Sequence, residues 1–288
     1  MTTLTRRSAN AAIIRHLTKI PTDRYACVMI SIASRSGAQS APRRRSAKAE
    51  AARVSGEKLL DAAVHVIRSK GYSAARVEDI CAEAGLTKGA FFHHFPSKEA
   101  CALAAASHFA RRAEGLFEAA PYSRLADPRA RVLGYVDFRK AILVGELPQF
   151  TCLLGTMVQE AYDTHPAIRA ACDRYISEHA AHLKTDLAKA KARCAPKAGW
   201  APQSAALFSQ AVLQGAFILA KAKHGPKVAA DCLDHLKLYF EALLPAPASS
   251  VGAVADRAAA LNERGYRAPA PSGEAKSRRA KQKGAARP

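Results

Sequence analysis

The chain has 288 residues, of which 49% are apolar and 7% aromatic, enough for one large domain or two modest ones. Abundant alanine and short β-branched runs favour an all-α fold. The longest apolar run near the N-terminus, 27–33, is much shorter than the roughly 20 residues of a membrane span, so no membrane partner is expected. The seven cysteines include no CxxC pair, which argues against a disulfide framework or zinc site and fits a cytoplasmic protein.

The formal net charge of +20 indicates a polyanionic partner, but the charge is unevenly distributed. Residues 1–56 carry +9 and residues 246–288 carry +6, whereas residues 57–100 are neutral overall. The basic excess therefore belongs mainly to the two ends of the chain. The total charge alone does not identify a nucleic-acid-binding fold.

Both ends are predicted to be disordered, since residues 1–50 and 246–288 lack sustained hydrophobic periodicity. The first segment contains Arg and Ser and is poor in acids, as a transit peptide is, but an upstream-called start codon is the favoured explanation, with Met29 as one alternative start. Arg43, Arg44 and Arg45 form a basic arm just before the first predicted helix. Two interpretations of this arm stay open, a minor-groove contact and a solubilising tail.

Four helices are predicted between residues 57 and 118. Ser55 or Gly56 would cap a helix that begins near Glu57, and Gly71 would end it. A short helix follows, then a turn at 85–86, a second short helix capped by Thr87, and a longer helix. Their predicted ranges are 57–70, 76–84, 88–95 and 97–118.

The segment 76–95 has the pattern of a helix-turn-helix. Such a motif needs two short helices, a small residue at the turn, apolar residues that fix the crossing, and polar atoms on the outer face of the second helix. Gly85 supplies the turn, and Lys88, Gly89, Ala90 and His93 would project toward the major groove. The apolar residues expected in the small core are Leu60, Val64, Ile67, Val77, Ile80, Ala84, Leu86, Phe91 and Phe95.

The stretch 71–99, GYSAARVEDICAEAGLTKGAFFHHFPSKE, resembles the signature of the TetR/AcrR family. The resemblance is specific over about residues 55–105 and only architectural beyond them. It implies a three-helix DNA-binding domain at 51–100 and a helical effector-binding and dimerisation domain at 101–245. It further implies a homodimer on a double-stranded operator, most often a repressor that a small molecule releases. An enzyme is least expected, because the sequence shows no Ser/His/Asp order, phosphate loop or metal cluster in the right context, and no cofactor is expected.

The resemblance also assigns roles to individual residues. Thr87, Lys88, Gly89, Ala90 and His93 fall on the recognition helix, while His94 and Lys98 fall where the family contacts phosphates. Two positions depart from the family pattern, since Phe92 stands where Tyr is usual and Ala75 where Thr is usual. Arg76 could replace the missing phosphate contact. The complete set of predicted DNA-binding residues is Arg43, Arg44, Arg45, Arg76, Thr87, Lys88, Gly89, Ala90, Phe92, His93, His94 and Lys98.

The remainder of the chain is predicted as further helices at 127–145, 148–163, 166–193, 202–223 and 226–244. A mostly apolar cavity with few polar anchors is what an effector pocket requires. The candidate lining residues are Thr151, Cys152, Met157, Gln159, Tyr162, Gln214 and Phe217. The last two helices are expected to form the dimer interface, through Leu207, Ala211, Phe217 and Ile218 of one and Cys232, Leu236, Tyr239 and Leu243 of the other.

Several alternatives stay open at this point. Cys152 could be a thiol sensor, although no cationic residue is adjacent in sequence to activate it. The basic tails could make the protein an architectural DNA-binding protein without sequence preference. No metal site is expected, because adjacent His93 and His94 diverge by about 100° on a helix and other His–carboxylate pairs lack a third ligand.

Overall fold

The computed structural model describes residues 47–246, and in this range it contains helices and no strand. We divide it into a head, α1–α3, and a body, α4–α10, which includes a short 3₁₀ helix. The elements are α1 Ala47–Lys70, α2 Val77–Ala84, α3 Lys88–His94, α4 Lys98–Ala119, the 3₁₀ helix Pro121–Arg124, α5 Pro128–Ala141, α6 Leu147–Phe150, α7 Leu153–Ala161, α8 Pro166–Cys194, α9 Pro202–Ala222 and α10 Lys227–Leu243. The predicted all-α fold class is confirmed.

The helices α3 and α4 begin where the sequence places caps. The Thr87 hydroxyl accepts a hydrogen bond from the Ala90 N–H at 3.2 Å, and the Ser97 hydroxyl accepts one from the Ala100 N–H at 3.0 Å. Gly71 ends α1 with φ +88° and Gly85 ends α2 with φ +64°, a left-handed conformation that favours glycine. Caps and turns predicted from the sequence thus set the lengths of α2 and α3.

The predicted core of the head is confirmed. Phe91 of α3 is fully buried, and it belongs to one cluster with the buried Ile67 and Ile80. The other six predicted residues, which are Leu60, Val64, Val77, Ala84, Leu86 and Phe95, pack partly buried against the same cluster. The cluster continues into α4 and α7, so the head shares its core with the body.

The start of α1 differs from the prediction. The helix begins at Ala47, so Ser55 and Gly56 lie inside it and neither caps it. Arg53 pairs with Glu50 three residues before it and Glu57 four residues after it, the spacing at which side chains meet on a helix. Residues 47–50 are therefore helical where disorder was expected. The remainder of residues 1–50, with the basic arm, lies outside the described residues, as do residues 247–288.

The body packs its long helices around a second core of buried residues. Two predicted boundaries are wrong here. The helix expected at 148–163 is divided into α6 and α7, because Thr151 closes one by donating to the Leu147 carbonyl at 2.8 Å and Cys152 caps the next. The helix expected at 127–145 ends at Ala141.

One described helix, α9, is long and apolar enough to cross a membrane by length and composition alone. Buried residues make up 44% of its most apolar window. The buried face includes Leu213, Ala216 and Ala220, which belong to the core of the body. A core helix in a folded domain has this same composition, so the match is weak evidence for a membrane span.

Candidate DNA-binding site

The recognition helix α3 presents a short outer face. Lys88, Gly89, Phe92 and His93 are exposed, and Ala90 is half-buried. The neighbouring Phe91 has no exposed surface, so it anchors the helix from the opposite side. Phe92 is 55% exposed. The structure thus brings the residues predicted for the recognition helix onto one accessible element.

The charge of this face is partly compensated within the head. Lys88 pairs with Glu78 of α2, and the hydrogen bond from Lys88 holds the pKa of that carboxyl below its usual value. Both side chains are more than half exposed. Exposed pairs of this kind are weak, so a DNA phosphate can compete with Glu78 for the Lys88 ammonium.

Lys98 lies where the resemblance predicts a phosphate contact, but its ammonium is used inside the protein. It donates to the carbonyls of Tyr72, Ser73 and Ala75 at 3.1, 3.4 and 3.2 Å, and it lies 4.5 Å from the centre of the Tyr72 ring. An ammonium has three N–H donors, so these carbonyls occupy all of them. The geometry favours a structural role for Lys98, as an anchor of the turn between α1 and α2.

His94 is likewise engaged within the head. Its Nε2 lies 2.7 Å from the Ser55 hydroxyl, and its ring packs beside Gly56 of α1. The ring therefore faces α1, away from the exposed side chains of α3. The contacts with Ser55 and Gly56 favour a packing role for His94 over a phosphate contact.

Arg76 is exposed at the N-cap of α2, and its N–H donates to Asp79 at 3.0 Å. Within residues 47–246 its guanidinium has no carboxylate partner at ion-pair distance. Ala75 before it is 1% exposed, and its carbonyl accepts from Lys98. Ala75 therefore offers no polar side chain to DNA, whereas Arg76 presents an exposed cation at the start of α2.

The predicted effector-binding residues differ in burial and belong to different parts of the core. Gln159 and Tyr162 are exposed, whereas Thr151 and Met157 are buried. Met157 packs in the core shared with the head, and Phe217 packs in the core of the body beside Phe150. The other two, Cys152 and Gln214, are half-buried. Helical periodicity identified apolar segments correctly but could not tell which of their faces meet.

Cys152 has cationic neighbours that the sequence does not reveal. The thiol interacts electrostatically with Arg68 of α1 and Lys221 of α9. Lys221 donates to the Thr156 hydroxyl at 2.8 Å, and burial lowers the pKa of Arg68 to about 10. The two cations come from distant parts of the chain. Only tertiary packing brings them to Cys152, so no local sequence signal could have found them.

The head and the body are joined by direct polar contacts. The Glu160 carboxylate of α7 accepts a hydrogen bond from the Ser73 N–H at 2.7 Å and lies against Gly71. His165 packs edge-on against Tyr72, with ring centres 5.1 Å apart. A movement of α7 would therefore change the contacts of the turn between α1 and α2.

A further polar cluster in the body was not predicted. Arg139 of α5 donates to the Tyr135 hydroxyl at 3.1 Å and to Nε2 of His179 at 2.6 Å. Gln210 of α9 donates to the same hydroxyl at 3.3 Å. The one local signal is the spacing of Tyr135 and Arg139, four residues apart on one helix face.

Comparison with known proteins agrees with this geometry. The sequence model of the family described as "Bacterial regulatory proteins, tetR family" matches residues 59–105. The chain is 26% identical over 188 residues to the HTH-type transcriptional repressor DhaR of Mycobacterium sp. (strain GP1), covering 65% of this chain and 91% of DhaR. It is 46% identical over 57 residues to the regulator CymR of Pseudomonas putida, covering 20% of this chain and 28% of CymR.

Solved structures share the fold. Reduced NemR of E. coli matches 67% of this chain and 98% of its own, with a TM-score of 0.58 and 21% identity. A TetR transcriptional regulator from Chloroflexus aurantiacus matches 66% of this chain and 96% of its own, with a TM-score of 0.59 and 24% identity. A further relative by sequence, the uncharacterized HTH-type transcriptional regulator YerO of Bacillus subtilis, is 36% identical to this chain over 53 residues, which cover only 18% of each protein. Residues 59–105 thus match the tetR family of bacterial regulatory proteins, and the described helices share the fold of TetR-family transcriptional regulators.

Proposed function

We propose that the protein is a homodimeric repressor that reads a two-fold operator with α3 and releases it when a small molecule binds the body. The observation that carries this proposal is the exposed face of α3 around Lys88, Gly89 and His93, held by the buried Phe91. A helix of this kind enters the major groove, where side chains reach base edges. DhaR, which aligns over most of its length, is named as a repressor.

The test is preference for the protein's own upstream DNA over random DNA at physiological salt. We expect Lys88→Ala to weaken operator affinity about tenfold or more, because a good groove contact contributes on this scale. The control is Lys184→Ala, which removes an exposed lysine from α8 of the body. If the wild type binds its upstream DNA and random DNA with equal affinity, the proposal is overturned. If Lys88→Ala and Lys184→Ala lower operator affinity equally, α3 is not the helix that contacts the operator bases.

The dimer interface is proposed on α9 and α10. Large apolar side chains remain exposed on both helices, and Phe208 and Tyr239 have ring centres 4.7 Å apart. Contiguous exposed apolar surface marks an interaction site, and a two-fold operator requires two readers. The exposed residues are Leu207, Phe208, Ile218, Leu219 and Tyr239, each between 38% and 48% exposed.

Two residues assigned to this interface from the sequence lie elsewhere. Phe217 is 7% exposed and Leu236 is 2% exposed, so both pack inside the body. We expect Leu219→Asp to convert the dimer to a monomer in sedimentation or light scattering. Leu125→Asp, at a leucine equally exposed outside α9 and α10, is the control and should leave the dimer intact. A wild-type protein that sediments as a monomer would contradict this arrangement.

A second candidate function, a thiol-responsive regulator, is favoured by the cations around Cys152. Thiolates are the reactive form of cysteine, and neighbouring cations stabilise them. A peroxide would oxidise the thiol to a sulfenic acid, transferring one oxygen and leaving water or an alcohol. Because Arg68 belongs to α1, this change would act on the head directly. If Cys152→Ser still loses operator affinity on peroxide treatment, Cys152 is not the sensor.

The third interpretation, an architectural DNA-binding protein, depends on the two tails. Deleting residues 1–46 and 247–288 leaves all described helices intact. A regulator keeps its preference for the operator after this deletion and loses part of its salt-dependent affinity. An architectural protein would lose binding altogether.

A further inference from the structure

The exposed face of α3 has an apolar centre. Because successive helical residues are separated by about 100°, the exposed Lys88, Phe92, Gly89 and His93 follow one another around an arc of about 140°. Phe92 and Gly89 form the middle of this arc, and Lys88 and His93 form its two edges. A helix that lies in the major groove turns the middle of its exposed face toward the base edges. The two residues best placed to meet a base therefore offer no hydrogen-bonding side chain.

The Phe92 ring is supported from within the head and open on its outer side. It meets the ring of Phe91 edge to face, with ring centres 5.3 Å apart and ring planes at 83°. Phe91 has no exposed surface, so this support is part of the core. Beyond its chain neighbours and the backbone of its own helix, a Cβ added to Gly89 would meet only the Thr87 hydroxyl, at 3.7 Å. The space above Gly89 therefore lets a methyl group approach the Phe92 ring.

The chemistry of the base edges determines what such a surface can contact. In the major groove, guanine, adenine and cytosine are marked by hydrogen-bond donors and acceptors, whereas thymine also presents its 5-methyl group. A phenyl ring that covers a donor or acceptor removes its water without supplying a partner, which costs free energy. Contact with the thymine methyl is favourable, because apolar surface of both partners leaves water. An apolar centre on α3 thus favours thymine over the other bases.

We propose that Phe92 contacts the 5-methyl group of a thymine in each half of the operator and so selects that base. A tyrosine, which is usual at this position in the family pattern, can donate a hydrogen bond to a phosphate, and Phe92 cannot. Phosphate contacts position a protein on DNA, whereas contacts with base edges carry sequence information. The substitution thereby changes the role of this side chain from positioning to base selection. The inference rests on the proposed function, since it requires α3 to lie in the major groove of an operator.

The test uses the upstream DNA that the full-length wild type prefers, with single thymines replaced by deoxyuridine. Deoxyuridine keeps every hydrogen-bonding group of thymine and lacks only the methyl group. We expect one replacement in each half-site to weaken wild-type binding about fourfold at physiological salt, the effect of losing one buried methyl group. Fluorescence anisotropy titrations measure the affinity for each duplex.

Variants of α3 assign the effect to one side chain. Phe92→Ala should bind the unmodified duplex about fourfold or more weakly and should no longer distinguish thymine from deoxyuridine at the sensitive position. Phe92→Tyr keeps the ring and should keep the difference. Lys88→Ala is the matched control on the same face of the helix. It should weaken binding to the thymine and deoxyuridine duplexes by the same factor, so the difference between them remains.

The outcomes separate this inference from the proposed function. If the wild type prefers its upstream DNA but no deoxyuridine weakens binding, the thymine contact is wrong and the proposed function stands. The same conclusion holds if Phe92→Ala is as sensitive to deoxyuridine as the wild type is. If the wild type prefers no DNA sequence, the proposed function and this inference are both overturned.

Discussion

The head and the body are built from helices of different length, and they are stabilised in different ways. In the head, α2 and α3 have only eight and seven residues. The N–H and C=O groups at helix ends that lack partners within the helix are therefore a large share of all backbone groups in these two helices. The hydroxyl of Thr87 satisfies one of these groups at the start of α3. In the body, α8 and α9 have 29 and 21 residues and begin at prolines without a side-chain cap. The start of the short helix α3 thus depends on a local cap, whereas the long helices α8 and α9 depend on packing.

The sharpest test of this comparison uses two adjacent aromatic residues of α3. Phe91→Ala removes a side chain with no exposed surface and should cost about 3–5 kcal/mol of unfolding free energy. Phe92→Ala, at a 55% exposed position, should change stability by less than about 0.5 kcal/mol. Denaturant unfolding measures both. Similar costs for the two variants would show that α3 is not anchored as described.

The next test concerns the junction of head and body. Gly71 has φ +88°, and an added Cβ would lie 2.1 Å from the Glu160 carboxylate. Gly71→Ala should therefore cost about 1–3 kcal/mol, from the backbone conformation and from displacement of Glu160. A double variant with Glu160→Ala should cost less than the sum of the two single variants, since each disrupts the same contact. Strict additivity would show that Glu160 and Gly71 are independent.

Lys98 distinguishes a structural role from a DNA-binding role. Lys98→Met removes the donor to three carbonyls of the turn after α1 and should lower stability by about 1–2 kcal/mol. Thermal and denaturant unfolding without DNA provide the measurement. If stability is unchanged while operator affinity falls, Lys98 is a phosphate contact and the structural interpretation is wrong.

The smallest effect is a pH dependence that belongs to the body. Burial lowers the pKa of His179 well below its usual value, so the unfolded chain binds this proton more readily than the folded one. Stability should therefore fall as the pH drops below the ordinary histidine pKa of about 6.5, by about 1 kcal/mol between pH 7 and pH 5.5. Replacement by Gln, a neutral side chain that can still accept from Arg139, should flatten this part of the profile. An unchanged profile would show that His179 is not its source.

The sequence by itself determined most of the head. Glycines at 71 and 85, caps at Thr87 and Ser97, and apolar residues at helical spacing are local signals, and all of them lie where they were expected. The sequence predicts that α1 begins near Glu57, ten residues after its observed start at Ala47. Ser55 is a good capping residue, but the ion pairs of Arg53 with Glu50 and Glu57 accompany a helix that continues through it. The family signature spans the same local segment and indicates which residues of α3 face outward.

Only the tertiary structure decided which contacts individual polar residues make. Lys98 and His94 have the sequence positions of phosphate ligands, yet carbonyls and a serine of the head already occupy them. The neighbours of Cys152 and the cluster around Arg139 come from helices far apart in the chain. Hydrophobic periodicity gives the inward face of a helix but not which helix meets it. Long-range packing alone determines where two distant polar side chains meet, and with it the chemistry of the body.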